Sequence, residues 1–219
     1  METELALNLV DTFAVGMLLL SMLSMATSRM GQLIRYFSLQ SLLLAAMAAV
    51  SAQATGNTHI YILAAVTLAI KVVIIPRFLR YTMAKINVER EVDTLVGIPG
   101  SLLLSAALIM AAYFVTEPLM GSFETLTRNC LALSLSVVFV GLLMMCTRRK
   151  AVTEAVGLLM MENGLFLGVM SVSYGMPLLV ELGIFLDVLM AVVIIGIFAY
   201  RINRTFNSVD TGFLRRLKE

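Results

Sequence analysis

Three ionisable residues stand out well inside long apolar runs of this 219-residue chain, away from the run ends: Lys71 in Thr58 to Tyr81, Glu162 in Ala151 to Tyr174, and Asp187 in Pro177 to Tyr200. Each lies about 10 to 13 residues into its run, which at the rise of a helix puts all three near one depth, midway through. A charge at mid-bilayer costs about 2.5 to 3.5 kcal/mol or more by insertion scales, and such side chains face a bundle interior or a water-filled path. The chemistry that suits them is proton transfer. A low dielectric favours a neutral carboxyl group and a nearby ammonium favours the ionised one, so a small change in surroundings loads or releases a proton. Gln40 and Asn163 stand at the same level of their own runs, where they add hydrogen bonds or hold water. A blander reading stands beside this one: Lys71 and one carboxylate neutralise each other as a structural pair that sets helix register. Glu181, near the outer end of its run, and Glu154, near the inner end of its own, read first as interfacial carboxylates and second as the mouths of a proton path.

The elements that must position these residues follow from composition. The apolar class makes up 60% of the chain and charged residues 14%, against about 45 to 50% and about 25% in ordinary soluble domains. Mean hydropathy is +0.95. Seven runs are long enough to cross a hydrocarbon core of about 30 Å: Leu5 to Ala26, Gln32 to Ala54, Thr58 to Tyr81, Pro99 to Thr116, Cys130 to Cys146, Ala151 to Tyr174 and Pro177 to Tyr200. The expected fold is therefore all-α, a polytopic membrane protein of about seven transmembrane helices, with residues 1–219 forming one transmembrane domain. The start, Met1-Glu-Thr-Glu, lacks the basic residues of a cleaved leader, so the first run reads as a retained span.

Charge placement tests that count, because Lys and Arg gather on the cytoplasmic side. With the N-terminus outside, the cytoplasmic segments hold Arg29 and Arg35, then Arg77, Arg80, Lys85 and Arg90, then Arg148, Arg149 and Lys150, and finally Arg201, Arg204, Arg215, Arg216 and Lys218. Of the 16 basic residues only Lys71, within a span, and Arg128, outside, remain. The expected location is thus the inner (plasma) membrane, with a cytoplasmic C-terminus. Ala84 to Val96, rich in both charges, suits a cytoplasmic linker or interfacial helix; the basic tail suits anionic lipid or a peripheral subunit. Val72-Val-Ile-Ile-Pro-Arg-Phe matches Val192-Val-Ile-Ile-Gly-Ile-Phe, which points to a parallel repeat of 5–82 on 130–200 about a connecting span, 99–116. Apolar sequence of low complexity also produces such matches.

Several classes of function are set aside. A net charge of +2 explained by topology gives no basis for nucleic-acid binding. Cys130 and Cys146 sit at opposite ends of one expected helix, about 24 Å apart, too far to bridge. His59, at an expected loop, reads as a solvated polar residue, and the sixteen methionines as adaptable packing. Pro76 is expected to kink or loosen the end of its span. There is no phosphate loop, no nucleophile beside a histidine base and no metal-ligand cluster in the sequence, so no cofactor and no independent catalysis are expected of this chain.

The stretch Gly157-Leu-Leu-Met-Met-Glu-Asn-Gly-Leu-Phe-Leu, followed by Glu181-Leu-Gly-Ile-Phe-Leu-Asp187, resembles the hydrogenase-4 component E family of group 4 nickel-iron hydrogenase and formate hydrogenlyase complexes, and the likeness includes Lys71-Val-Val-Ile-Ile-Pro. The last three spans also resemble the small K-type subunit of respiratory complex I and the C subunit of multisubunit cation/proton antiporters. In the K-type subunit two glutamates carry a proton path. By that resemblance Asp187 takes the place of the second. Aligning on Asn163 puts Leu159 where the first belongs, with Glu162 three residues on, about one helical turn away. The resemblance implies a non-redox membrane subunit of a complex I-like assembly, with antiporter-like membrane subunits and a peripheral hydrogenase or redox arm as partners. Metal and hydrogen chemistry would lie in those partners. A scaffold subunit without proton transfer, or a subunit of a cation/proton antiporter or inorganic-carbon uptake system, remain the alternatives.

Overall fold

A backbone surrounded by lipid must satisfy its own N–H and C=O groups, and for single runs of about 20 residues only the helix does so. The computed structural model describes residues 2–55, 58–86, 95–119 and 129–173, together with Met190, Val192 and Ile194. Its regular elements are helical throughout. Helix α1 (Glu2–Ala26) and helix α2 (Met30–Thr55) form a hairpin. Helix α3 (Thr58–Thr67) runs into a π-helical segment, Leu68–Ile74, and on into α4 (Ile75–Ile86). Then come α5 (Ile98–Thr116) with a short 3-10 turn, Glu117–Leu119, α6 (Cys130–Thr147) and α7 (Ala151–Ser173).

Among the described residues, five helices are long and apolar enough to cross a membrane: α1, α2, α5, α6 and α7. The expected count of seven is therefore met in part. The third run is helical from end to end, but the π segment divides it into pieces each shorter than a span. Of the seventh, only Met190, Val192 and Ile194 are described; all three are helical. Most of that run, including Glu181 and Asp187, lies outside the described residues, as do most of the 84–96 linker, the basic tail and part of the expected repeat. His59, expected in a loop, stands in the first turn of α3.

The turns are built locally. Between α1 and α2 the Thr27 hydroxyl donates to Gln32 Oε1 at 2.8 Å, and the Gln32 and Leu33 amides donate to the Arg29 carbonyl at 3.0 and 3.1 Å. Between α6 and α7 the Thr153 and Glu154 amides close on the Lys150 carbonyl at 2.9 and 3.0 Å. Arg148, in that turn, is buried and donates from Nη2 to the Met25 carbonyl at 2.7 Å, capping the C-terminal end of α1. Burial lowers the pKa of its guanidinium from the ordinary arginine value.

Helices α6 and α7 approach through glycines. A Cβ on Gly141 would stand 2.7 Å from the Met161 amide nitrogen and 2.9 Å from the Gly157 carbonyl oxygen, and one on Gly164 would stand 2.8 Å from the Val138 nitrogen. Backbones therefore touch along this seam, the close packing by which small residues join membrane helices. Helix α5 packs on α6 and α1 through Ser101, Ser105, Ala112 and Thr116, and leaves Leu103, Met110 and Phe114 exposed.

Most of the buried apolar residues fall into two clusters. One joins Val10, Ala14 and Met17 of α1 to Leu44 and Met47 of α2, Ala64 of α3, Cys130 and Leu133 of α6, and Phe166 and Leu167 of α7. The other joins Met25 to Leu33, Ile34 and Phe37, Ile75 and Leu79, Val140 and Met144, and Val152, Val156, Leu159 and Met160. Between them, on four helical paths, lie buried polar residues: Ser21 on α1, Gln40 and Ser41 on α2, Lys71 in the π segment, and Glu162 and Asn163 on α7. A polar layer thus separates two dry cores near mid-height.

Candidate functional site

The π segment sets where Lys71 points. It is wider than an α-helix, with bonds from residue i to i+5, and such stretches recur at functional sites. The Ile75 amide bonds back to the Ile70 carbonyl, five residues earlier. Buried positions accordingly run Thr67, Lys71, Ile75, Leu79, spaced by four where an α-helix would average 3.6. Pro76 follows directly. Its missing N–H removes the α-type bond to the residue four before it, so the loosening expected from proline appears just upstream of it and the helix then continues to Ile86.

The segment packs on α2, α3 and α4, and the four-carbon stem of Lys71 carries its ammonium across to α7. There Nζ lies 3.3 Å from Glu162 Oε2, with both side chains 0% exposed. It also donates to Asn163 Oδ1 at 3.0 Å and stands 5.3 Å from the centre of the Phe166 ring. From Asn163 the contacts continue across the bundle. Its Nδ2 donates to Gln40 Oε1 at 3.2 Å and to Ser41 Oγ at 3.0 Å. Gln40 Nε2 donates to Ser21 Oγ at 2.8 Å and to the Met17 carbonyl at 3.3 Å, and Ser21 Oγ donates to that carbonyl at 2.9 Å.

Sequence reasoning placed Lys71, Glu162, Gln40 and Asn163 at one level, and the structure brings all four together. It missed Ser21 and Ser41, since serine in such helices ordinarily bonds to its own helix four residues back and signals nothing. Glu154 is not part of the group: it stands eight residues before Glu162, about 12 Å down α7. Leu159, the position matched to the K-type glutamate, is packed in an apolar cluster one turn from Glu162. Among the described residues, the carboxylate level with Lys71 is Glu162. Chemically, an enclosed ammonium and carboxylate in direct contact form a pair whose charge changes if a proton reaches either member.

Comparison with known proteins agrees with the likeness seen in the sequence. The chain is 32% identical to the uncharacterized protein Rv0085 of Mycobacterium tuberculosis over 212 residues, 96% of each chain. It is 28% identical over 183 residues to hydrogenase-4 component E of Escherichia coli, covering 84% of this chain and 85% of that one, and the same figures hold for Shigella flexneri. The chain belongs to the hydrogenase-4 component E family. No family model matches it, and no solved structure matches significantly. In this member of the hydrogenase-4 component E family, then, the MENG stretch holds two of the polar-layer residues, Glu162 and Asn163, and one seam glycine, Gly164.

Proposed function

We propose that this chain is a non-redox, multi-pass subunit of the inner membrane in a complex I-like hydrogenase assembly, and that Lys71 and Glu162, with Asp187, move protons as redox chemistry proceeds in partner subunits. In this reading the N-terminus lies outside and the C-terminus in the cytoplasm. Antiporter-like membrane subunits and a peripheral hydrogenase arm, as in formate hydrogenlyase, are its partners, and the metal centres belong to them. The observation that carries the reading is the Lys71–Glu162 pair at 3.3 Å, fully enclosed between two apolar cores. A bundle that needed only cohesion gains little from such a pair, because well-packed apolar residues hold helices at least as well. Asn163, Gln40 and Ser21 extend the polar layer to α2 and α1, which suits a site that must stay solvated by protein in both charge states.

The test is proton translocation by the assembled complex in inverted membrane vesicles. Glu162→Gln together with Asp187→Asn is expected to abolish it while leaving the subunits associated. Unchanged translocation would end the proposal. One observation favours the scaffold reading as well: the pair ties the π segment to α7. Loss of assembly in Lys71→Ala, with coupling intact in whatever complex forms, would select that reading instead.

A further inference from the structure

We infer that Lys71 is a fixed cation and that Glu162 is the member of the pair that takes up and gives back the transferred proton; this rests on the proton-transfer reading above. The polar layer has a direction. A chain of bonds in it runs donor to acceptor from Lys71 to Asn163, from Asn163 to Gln40, and from Gln40 to Ser21 and Met17. Its far end is locked, because the Met17 carbonyl can only accept and already receives the Ser21 hydroxyl. Gln40 must therefore turn its NH2 toward α1 and its oxygen toward α7. Asn163 must then present its NH2 to Gln40 and Ser41, and its oxygen to Lys71. Turning either amide over would set oxygen against oxygen at one end or nitrogen against ammonium at the other.

Negative ends of neighbouring groups thus face Nζ, among them the Glu162 carboxylate at 3.3 Å, the Asn163 oxygen at 3.0 Å and the Phe166 ring face at 5.3 Å. If Glu162 binds a proton, the ammonium keeps the amide oxygen and the ring. If Lys71 loses one, the carboxylate loses its cation and the oriented amides lose the charge they point at. Among the described residues, other charges on the surrounding helices do not reverse this order: Arg35, Arg77 and Arg80 are exposed, Asp11 stands ten residues, about 15 Å, from Ser21 along α1, Arg148 is bound at the end of α1 on the Met25 carbonyl, and Glu154 lies about 12 Å away along α7. In the loading step a proton forms one O–H bond at a Glu162 carboxylate oxygen, and the pair goes from neutral to singly positive. Release breaks that bond and restores the neutral pair, with no electron transferred.

Arginine separates the two roles, since it holds its proton under all conditions in proteins. In vesicles bearing the assembled complex, Lys71→Arg is expected to translocate protons within about threefold of the parent, while Lys71→Gln and Glu162→Gln each fall by about tenfold or more. If Lys71→Arg is as inactive as Lys71→Gln while Glu162→Gln is also inactive, Lys71 must release its proton and the inference is overturned. If Glu162→Gln translocates normally, the proton-transfer reading itself has failed. Should Lys71→Arg not assemble, infrared difference spectra of the turning-over parent complex decide the matter. A protonated-carboxyl stretch that vanishes in Glu162→Gln supports the inference. Its absence from the parent, or its persistence in Glu162→Gln, overturns it.

Discussion

Removing one member of the enclosed pair should be far more damaging than removing both. At 3.3 Å, Coulomb's law with an effective dielectric of about 20 gives a gross attraction of about 5 kcal/mol. Most of that offsets the loss of water around two charges, so the pair's net contribution is small while the penalty for orphaning one partner is about 3 to 5 kcal/mol. Lys71→Leu should sit at the upper end of that range, because it leaves a carboxylate in the polar layer without this cation. Glu162→Gln should sit at the lower end, because Nζ keeps Asn163 Oδ1 at 3.0 Å and the Phe166 ring. The double variant Lys71→Leu/Glu162→Gln should then be destabilised by at least about 2 kcal/mol less than the sum of its parts. Denaturing-detergent titration of the purified chain in mild micelles, followed by circular dichroism, measures all three. Additivity within about 0.5 kcal/mol, or single variants that each cost under about 1 kcal/mol, would refute the account of the pair.

Three further outcomes follow from the geometry. Gly141→Ala should destabilise the protein by about 1 to 3 kcal/mol in the same titration, since its Cβ meets backbone at 2.7 Å, whereas Gly31→Ala, with open space around it, should be neutral or stabilising. Pro76→Ala restores an N–H four residues after Val72 and so favours α over π winding; translocation should fall although stability holds or rises, as vesicle assays and unfolding together would show. Gln40→Leu removes the link between Asn163 and Ser21 and should cost about 1 to 2 kcal/mol, with the loss read by detergent titration.

Much of this was legible from residue order alone, and the reasons are physical. Lipid leaves a 20-residue apolar run only one conformation, so the expected spans at α1, α2, α5, α6 and α7 coincide with the helices to within about a turn. The meeting of Lys71 with Glu162 was legible because charges expelled by hydrocarbon at one depth have few places to go except toward each other. The π segment was not, since Leu68–Ile74 is as apolar as an α-helix would be and only Pro76 hints at a disturbance. The glycine seam carried a signal that went unread: Gly164 and Gly168 stand four apart in the manner of close-packed membrane helices. That Glu162 and not position 159 stands beside Lys71 could not be read from alignment, because the two lie one turn apart on a similar helix face and only the height of Lys71 distinguishes them.

The seam also decides which parts of this bundle can travel. Where two main chains lie in contact with no side chains between them, sliding or tilting either one opens a gap or forces a collision, so α6 and α7 behave as a single rail. The overwide turn that bears Lys71 has the opposite character: one hydrogen-bond register can be traded for another there without unfolding anything. A signal from a neighbouring subunit that alters the gap between ammonium and carboxylate would act by winding or unwinding that one turn against a stationary track.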